Sequence, residues 1–529
     1  METYDVVVIG FGPVGQMATA QLTRAGHRVA AFETHAQLYG LSRAGHIDDE
    51  IMRTLQSVGA GEEFREDAVP WKLYDMRTKA FGGELLLSLD WSQIGPHGWR
   101  SHWIFYQNNL ELALNHQITA TGRADVRMGH EATALEQDAD GVTVTVHDKH
   151  NDTTEQVRAK YLLAADGANS FIRETLGITS TDGTTGPWQL VIDTAQKREL
   201  SFEFDNGQFA DHERPGCLFQ LGAKHRRWEF TLLPDENPED FDLDRVWELL
   251  APWVTAEDVE VIRYPVYRFK ERMADEWHRD RIILIGDSAH IMWPFAGEGM
   301  CNGIRDAAAL TWRLDLILRG LADERLLDTY EGDRKPNAQG WTELSREIGI
   351  PCITTDPEIA ADRNVSMLAA RSDPSLIPPM TVPPGPTAFA RQGDPAAGLP
   401  AVQGQVRNGD TTGLFDDVVG RGFTLLTSDR AALEALDANQ RAFLDGIGAR
   451  LAVIGAEGGS ADIIDVDGTY ANWFARLGRT AILSRPDFYV FGSAADSADT
   501  AALVTSLRDQ LAGTPTTATA NAPSVDANV

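Results

Sequence analysis

Apolar positions along the chain fall into short β-type runs separated by longer stretches of helical spacing. Residues 4–10, YDVVVIG, are nearly continuous in Val and Ile and close on glycine, which predicts a buried parallel strand. Residues 14–25 have helical composition and stop at Gly26, a natural C-cap. Residues 27–32 predict a second strand with Glu33 at its end, which completes a βαβ unit. Residues 47–58 read as a helix, the Trp- and Gly-rich stretch 71–103 as strands and loops, and the chain from Leu110 as helix again. Residues 141–147, GVTVTVH, alternate strictly and predict a half-buried strand. Residues 160–165 predict a buried strand that closes on Asp166-Gly167. From Trp188 to Lys270 the pattern is all-β. Residues 200–204, LSFEF, alternate, and the runs 218–221 and 228–232 flank a basic turn, Lys224-His225-Arg226-Arg227, as a hairpin would. Residues 281–286 predict one more buried strand and residues 302–319 a long helix.

Beyond this point the chain changes character. Pro374, Pro378, Pro379, Pro383, Pro384 and Pro386 mark a linker over residues 371–400. A smaller βα pattern follows, with strands at 423–426 and 451–454, a helix at 431–450, a strand pair within 480–491 around Arg485-Pro486, and a last helix at 501–511. Residues 513–529 are rich in Thr, Ala, Asn and Pro and are expected to be disordered. The predicted organisation is a discontinuous nucleotide-binding domain (1–185 and 271–370), a β-rich substrate domain (186–270), the linker, and an α/β domain (401–512).

Composition narrows the function classes. A chain of 529 residues exceeds one compact core. The net charge of -31 disfavours nucleic acid, whose binding depends on Lys and Arg neutralising phosphate, and disfavours an anionic membrane surface. Cys217, Cys301 and Cys352 form no CxxC and no metal-ligand spacing, so neither a disulfide framework nor a metal site is expected, and a reducing cytoplasm is. The opening METYDVVVIG has no basic region ahead of its apolar run and reads as a strand, not a signal peptide; no apolar stretch reaches the length of a membrane span.

Three motifs carry chemistry. In Gly10-Phe11-Gly12-Pro13-Val14-Gly15, Gly10 permits the turn off the strand, Gly12 lets a pyrophosphate approach the backbone, and Gly15 allows close helix–strand packing. The helix N-terminus behind them offers free N–H groups and a positive dipole end, and Glu33 is placed to accept from a ribose diol. This pattern alone does not separate FAD from NAD. The second motif is Asp166-Gly167 with Ser170 and Arg173, which as a sequence reads equally as a turn with an N-capping serine. The third runs from Gly286-Asp287 through His290 and Pro294-Phe295-Ala296-Gly297-Glu298-Gly299-Met300-Cys301-Asn302. Here Asp287 can bind a polyol chain, and backbone N–H groups at 299–302 can approach a flat ring and stabilise negative charge on a reduced flavin. His290 reads as a structural hydrogen-bonding residue, not a base.

In this order and spacing the three motifs resemble the single-component FAD-dependent aromatic hydroxylases of the p-hydroxybenzoate hydroxylase type. GEGMCNGIRDAAALTWRL and Leu326-Leu-Asp-Thr-Tyr-Glu331 look most like the branch that holds 3-(3-hydroxyphenyl)propionate hydroxylase and polyketide phenol hydroxylases. The resemblance covers residues 1–350, and the part from about residue 400 is similar to the thioredoxin-like C-terminal domain of such enzymes, here without a CxxC. It implies an α/β fold: a Rossmann-like FAD-binding domain, an inserted β-sheet substrate domain and a thioredoxin-like domain. It implies that Gly10, Gly12, Pro13, Val14, Gly15 and Glu33 hold the ADP half of FAD, that Arg43 lies by the pyrophosphate and flavin, and that Gln107 touches the ribityl chain. Ala132 would sit by the adenine, Asp166 and Gly167 would serve FAD and the nicotinamide donor, and Asp287 would bind the ribityl chain. Pro294, Gly297, Gly299, Met300, Cys301 and Asn302 would surround the isoalloxazine. Two departures are visible: Asn108 stands where the family has Pro, and Trp293-Pro294 where it often has Pro-Pro.

The implied reaction is hydroxylation of a small phenolic substrate with O₂ and NADH or NADPH, by way of a flavin C4a-hydroperoxide, in a cytoplasmic enzyme expected as a homodimer. No catalytic base is assigned; His225, Tyr264 and Tyr267 are candidates that read equally as packing or surface residues, and Arg226 and Arg227 read as a solvated hairpin turn, with a carboxylate clamp as the alternative. An aromatic polyketide-tailoring hydroxylase or oxidative decarboxylase stays open. A flavin-dependent halogenase would need a Trp-x-Trp-x-Ile-Pro stretch, which is absent. A flavin-free dehydrogenase leaves the Gly286–Asn302 segment unexplained, and a non-catalytic flavin-binding protein is the remaining reading.

Overall fold

The computed structural model describes residues 1–203 and 205–513. The chain forms two compact units. One comprises Met1–Ile94, Arg100–Ala307 and Ala338–Pro383; the other comprises Gly95–Trp99, Ala308–Asn337 and the chain from Pro384. Among the described residues no helix is long and apolar enough to cross a membrane.

The first unit is built around a parallel sheet in the order Ile282–Leu284, Thr153–Ala164, Glu2–Ile9, Val29–Glu33, Ala124–Met128. Residues 6–9 are buried on both faces, which is why the run carries no polar alternation. The helix Pro13–Arg24 follows the first strand, and Gly26 ends it at φ +105°. Gly141–Asp148 pairs antiparallel with both His130–Asp138 and Thr153–Ala164.

A second sheet in this unit runs Val259–Arg263, Trp188–Gln196, His225–Thr231, Gly216–Leu221, Gly207–Phe209, Leu73–Arg77, Leu85–Asp90. Its inner face packs Leu190, Ile192, Leu218, Trp228 and Phe230 against Val246 and Leu250. Four expectations are corrected here. Residues 200–203 form no strand despite their alternation, and Phe204 lies outside the described residues. The region is not all-β, because an amphipathic helix, Leu243–Leu250, capped by Asp242, covers the sheet. The hairpin turn is Gly222-Ala223-Lys224, with Gly222 at φ +63°, so His225, Arg226 and Arg227 belong to the strand. Arg226 and Arg227 are buried and ion-paired, not a solvated turn.

Two helices not anticipated, Asp328–Ile353 and Pro357–Ser372, lead into the proline-rich stretch. The second unit holds a mixed sheet, Thr411–Leu414, Gln405–Asn408, Ile463–Asp465, Arg450–Gly455, Thr424–Thr427, Ala481–Ser484, Val490–Ala494. The single helix expected over 431–450 is two, Arg430–Glu434 and Ala438–Gly446, because Asp437 caps the second and interrupts the first. Beneath the sheet, four buried charges interlock. Asp333 pairs with Arg313 and, at 2.9 Å, with Arg485, while Asp487 holds Arg485 at 2.5 Å and accepts from Trp312 Nε1 at 3.1 Å. Residues 514–529, to which expected disorder was assigned, lie outside the described residues.

Candidate active site

A cavity of about 2800 Å³ opens within the first unit. Single drug-sized sites hold roughly 300–1000 Å³, so this one has room for a dinucleotide and a second ligand. Every expected cofactor residue lines it except Cys301 and Asn302. Those two open the helix Gly299–Leu318 but face away: Asn302 N donates to Glu298 O at 2.8 Å, and Cys301 Sγ lies 3.7 Å from His46 O.

The glycines of the first motif do different things. A Cβ on Gly10 would stand 2.2 Å from Ala165 O, and one on Gly15 would stand 2.1 Å from Gly10 O. These two positions are closed by the protein itself. A Cβ on Gly12 meets nothing within 4 Å. Gly12 is the N-cap of a helix whose first bonded amide is Gln16 N, to Gly12 O at 2.9 Å, so the N–H groups of Val14 and Gly15 remain open at the positive end of the dipole. Glu33 closes the turn by accepting from Phe11 N and His35 N, each at 2.9 Å.

The other two acids are underused by the protein, which is what a cofactor site requires. Asp166 Oδ2 accepts from Ile172 N at 3.0 Å, while its buried Oδ1 has no partner among the described residues. Burial raises its pKa. Asp287 opens onto the cavity, and its carboxylate has no hydrogen bond among the described residues. Its depth raises its pKa, with His290 and Arg43 pulling the other way. Hydroxyls of a polyol chain would satisfy both carboxylates. Ser170 caps the short helix Phe171–Thr175, and Arg173 reaches from there to Ser288 O at 2.9 Å, tying the second motif to the third. His290 is buried against Asp306, 2.7 Å from Nε2, and Asp306 also takes Gly286 N at 2.9 Å. This triad fixes the strand end to the helix and leaves His290 outside the cavity lining.

The loop at 42–44 is held by side chains whose partners are remote in sequence. Gln107 Oε1 accepts from Arg43 N at 2.8 Å and Ala44 N at 2.9 Å, and its Nε2 donates to Glu111 at 2.7 Å. Gln107 therefore shapes the loop, and it also lines the cavity in which the resemblance implied contact with a ribityl chain. Arg227 grips Asp193 at 2.7 and 3.0 Å and donates to Arg43 O at 2.7 Å and Ser42 O at 2.8 Å. Arg263 completes the clamp on Asp193 at 2.6 Å. Burial works against the Arg227 charge, but Asp193 outweighs it and the pKa rises.

Across the cavity lies a pair of histidines that the sequence did not single out. His46 Nε2 and His102 Nδ1 are 2.8 Å apart, and His46 Nδ1 lies 3.4 Å from Gly297 O. If Gly297 O takes the His46 Nδ1 proton, His102 Nδ1–H donates to His46 and His102 Nε2 is left as an acceptor, with no partner among the described residues. Trp71 and Trp91 contact the pair, with Tyr74 and Phe219 around them. Burial lowers the pKa of both rings, His102 to about 3 with His46 adding to the effect, so both stay neutral. Of the earlier candidates, His225 stacks on Tyr106 at 3.8 Å, Tyr264 is exposed, and only Tyr267 lines the cavity.

Behind the glycine-rich loop, Arg305 binds Glu298 at 2.6 Å, Glu50 at 2.8 Å and Asp48. Three carboxylates share one guanidinium, and burial raises the pKa of Glu298. His46, Glu298 and Cys301 bring donor atoms within 4.8 Å of one another. Glu298 is already engaged by Arg305 and the buried thiol is pushed well above its usual range, so this donor set is poorly suited to a cation.

Comparison with known proteins agrees with this geometry. Residues 3–345 match the FAD binding domain family and residues 398–510 the HcaD C-terminal domain family. A protein of Rhodococcus jostii named as a probable NADH-specific resorcinol 4-hydroxylase is 33% identical over 97% of this chain and 96% of its own. A 3-(3-hydroxy-phenyl)propionate/3-hydroxycinnamic acid hydroxylase of Burkholderia vietnamiensis is 29% identical over 92% and 93%. The crystal structure of aklavinone-11 hydroxylase with FAD and aklavinone superposes with a TM-score of 0.79 at 23% identity, covering 97% of this chain and 99% of that one.

Proposed function

The chain belongs to the FAD binding domain family, and from that premise we propose that it is an FAD-dependent monooxygenase that places one oxygen atom on a phenolic ring. NADH, a proton, O₂ and the phenol would give NAD⁺, water and the dihydroxylated ring. NADH is chosen over NADPH on the likeness to the Rhodococcus protein. The observation that carries the reading is a single cavity in which three cofactor motifs meet an aromatic chamber holding a neutral histidine pair.

Bound FAD would supply hydride acceptance from NADH and activation of O₂ for transfer to an electron-rich ring. The chain's residues do the rest. The open N–H groups of Val14 and Gly15 would bind the pyrophosphate, Glu33 the adenosine ribose, and Asp287 the ribityl chain. Asp166 would accept a further hydroxyl with its free oxygen. Trp71, Tyr74 and Trp91 would seat the ring and exclude water. His102 Nε2 would accept a hydrogen bond from the phenol and so increase electron density on the ring. A pKa of about 3 makes His102 too weak a base to hold the proton outright, so its part is to orient and polarise the hydroxyl. Three free buried thiols favour a cytoplasmic setting.

The test is NADH consumption by the FAD-loaded protein in air across a panel of phenols, with product masses recorded. A compound that accelerates consumption and gains one oxygen supports the reading. FAD retention with no phenol-stimulated consumption refutes it and leaves a non-catalytic flavoprotein.

A further inference from the structure

The cavity extends past the aromatic chamber into a wing whose walls, Phe295 apart, hold no residue of the flavin motifs. Its inner wall is Met76, Leu86, Phe295, Cys352 and Met367, which belong to one apolar cluster. Its outer wall is Ile350, Ile359, Leu376, Ile377 and Met380, which also line the cavity and are 44–57% exposed. Large aliphatic side chains left open around a cavity mouth mark a surface that an apolar ligand covers.

Around the wing two arginines are committed to main-chain carbonyls and two carboxylates are of the wrong sign for an acid. Arg363 donates to Pro351 O at 2.8 Å and Ala210 O at 2.6 Å, and Arg371 donates to Leu85 O at 2.7 Å. Glu347 and Asp362 stand in the same lining, so an anionic tail would meet two carboxylates. In the chamber itself the histidine pair is neutral, and the buried Arg227 and half-buried Arg263 nearby are clamped on Asp193.

We propose that the substrate is a neutral phenol carrying an apolar substituent of several carbons, which lies in this wing while the ring is held in the chamber. This rests on the phenol-hydroxylase reading. It excludes as preferred substrates both the bare ring and a ring whose side chain ends in a carboxylate.

The experiment measures kcat/KM, by NADH oxidation and product mass, for resorcinol, for 5-methyl-, 5-propyl- and 5-pentylresorcinol, and for 3-(3-hydroxyphenyl)propionate. Each methylene buried in the wing should raise kcat/KM roughly fourfold. The pentyl compound should exceed resorcinol by at least about a hundredfold, and the acid should fall at least about tenfold below the propyl compound. Ile359→Ser and Leu376→Ser, at exposed positions that folding does not depend on, should each shrink the pentyl-to-resorcinol ratio several-fold. Resorcinol equal to or better than the pentyl compound, or the acid as the best substrate, overturns the proposal while the hydroxylase reading stands. Silence from every phenol in a protein that holds FAD overturns both.

Discussion

Replacing Gly12 and Gly15 by alanine, one at a time, separates what the protein needs from what its ligand needs. At Gly15 the added Cβ would lie 2.1 Å from Gly10 O, where contacts under 3.0 Å essentially never occur, and the atom it meets is main chain and cannot rotate away. The helix Pro13–Arg24 must then lift off the sheet, and the expected loss of apoprotein stability is about 1–3 kcal/mol. At Gly12 the Cβ meets no protein atom within 4 Å, and φ is -73°, which alanine adopts freely. The apoprotein should keep its stability or gain about 0.4–1 kcal/mol from the stiffer unfolded chain. The open space is where the pyrophosphate would come, so Gly12→Ala should displace it from two N–H groups. At roughly 1.5–3 kcal/mol for each hydrogen bond to a charged group, the FAD dissociation constant should rise about 10²- to 10⁴-fold. Thermal unfolding of apoprotein and flavin-fluorescence titration read the two quantities separately. A Gly12→Ala protein that binds FAD like the parent, or one whose apoprotein is destabilised as much as Gly15→Ala, refutes the assignment.

Asp287→Asn should weaken FAD, as flavin-fluorescence titration would read, while apoprotein stability stays within about 0.5 kcal/mol, since the side chain is exposed on the cavity wall and holds no other element in place. Asp193→Asn leaves Arg227 and Arg263 facing each other without their carboxylate and should cost about 3–5 kcal/mol, with part of the loss recovered by Arg227→Met in the same chain, as denaturant unfolding would show. His102→Phe should lower the yield of hydroxylated product per NADH consumed by about tenfold or more. Because His102 is held near 3, the parent's kcat should have no inflection between pH 5 and 8 that the substitution removes; such an inflection would show a base where a hydrogen-bond acceptor is argued.

Motifs whose reason is local were legible. The strand, glycine turn and helix at residues 2–24 follow from apolar continuity and the absence of Cβ atoms, and Asp287 announces itself as an acid at a strand end. Residues whose reason is distant were not. Arg227 looks like part of a polar turn because Lys224, His225 and Arg226 precede it, yet Asp193 lies 34 positions away and supplies the countercharge that lets it be buried. His46 and His102, 56 positions apart, become a pair only when the strands His46–Asp48 and His102–Ile104 meet. The alternation at 200–203 was misleading, because a strand needs an edge to pair with as well as a pattern.

The buried charges Arg313, Asp333, Arg485 and Asp487 bear on how such proteins are shuffled in evolution. The HcaD C-terminal match begins at residue 398, after the proline-rich stretch, which looks like a natural place for gene fusion. A recombination event there would part Arg485 and Asp487 from Asp333 and Arg313: each half keeps one buried Arg–Asp pair but loses the Asp333–Arg485 and Arg313–Asp487 bridges that join them. The C-terminal region is thus not a free cassette. An exchange of the C-terminal region preserves all four ion pairs only if residues 308–337 move with it.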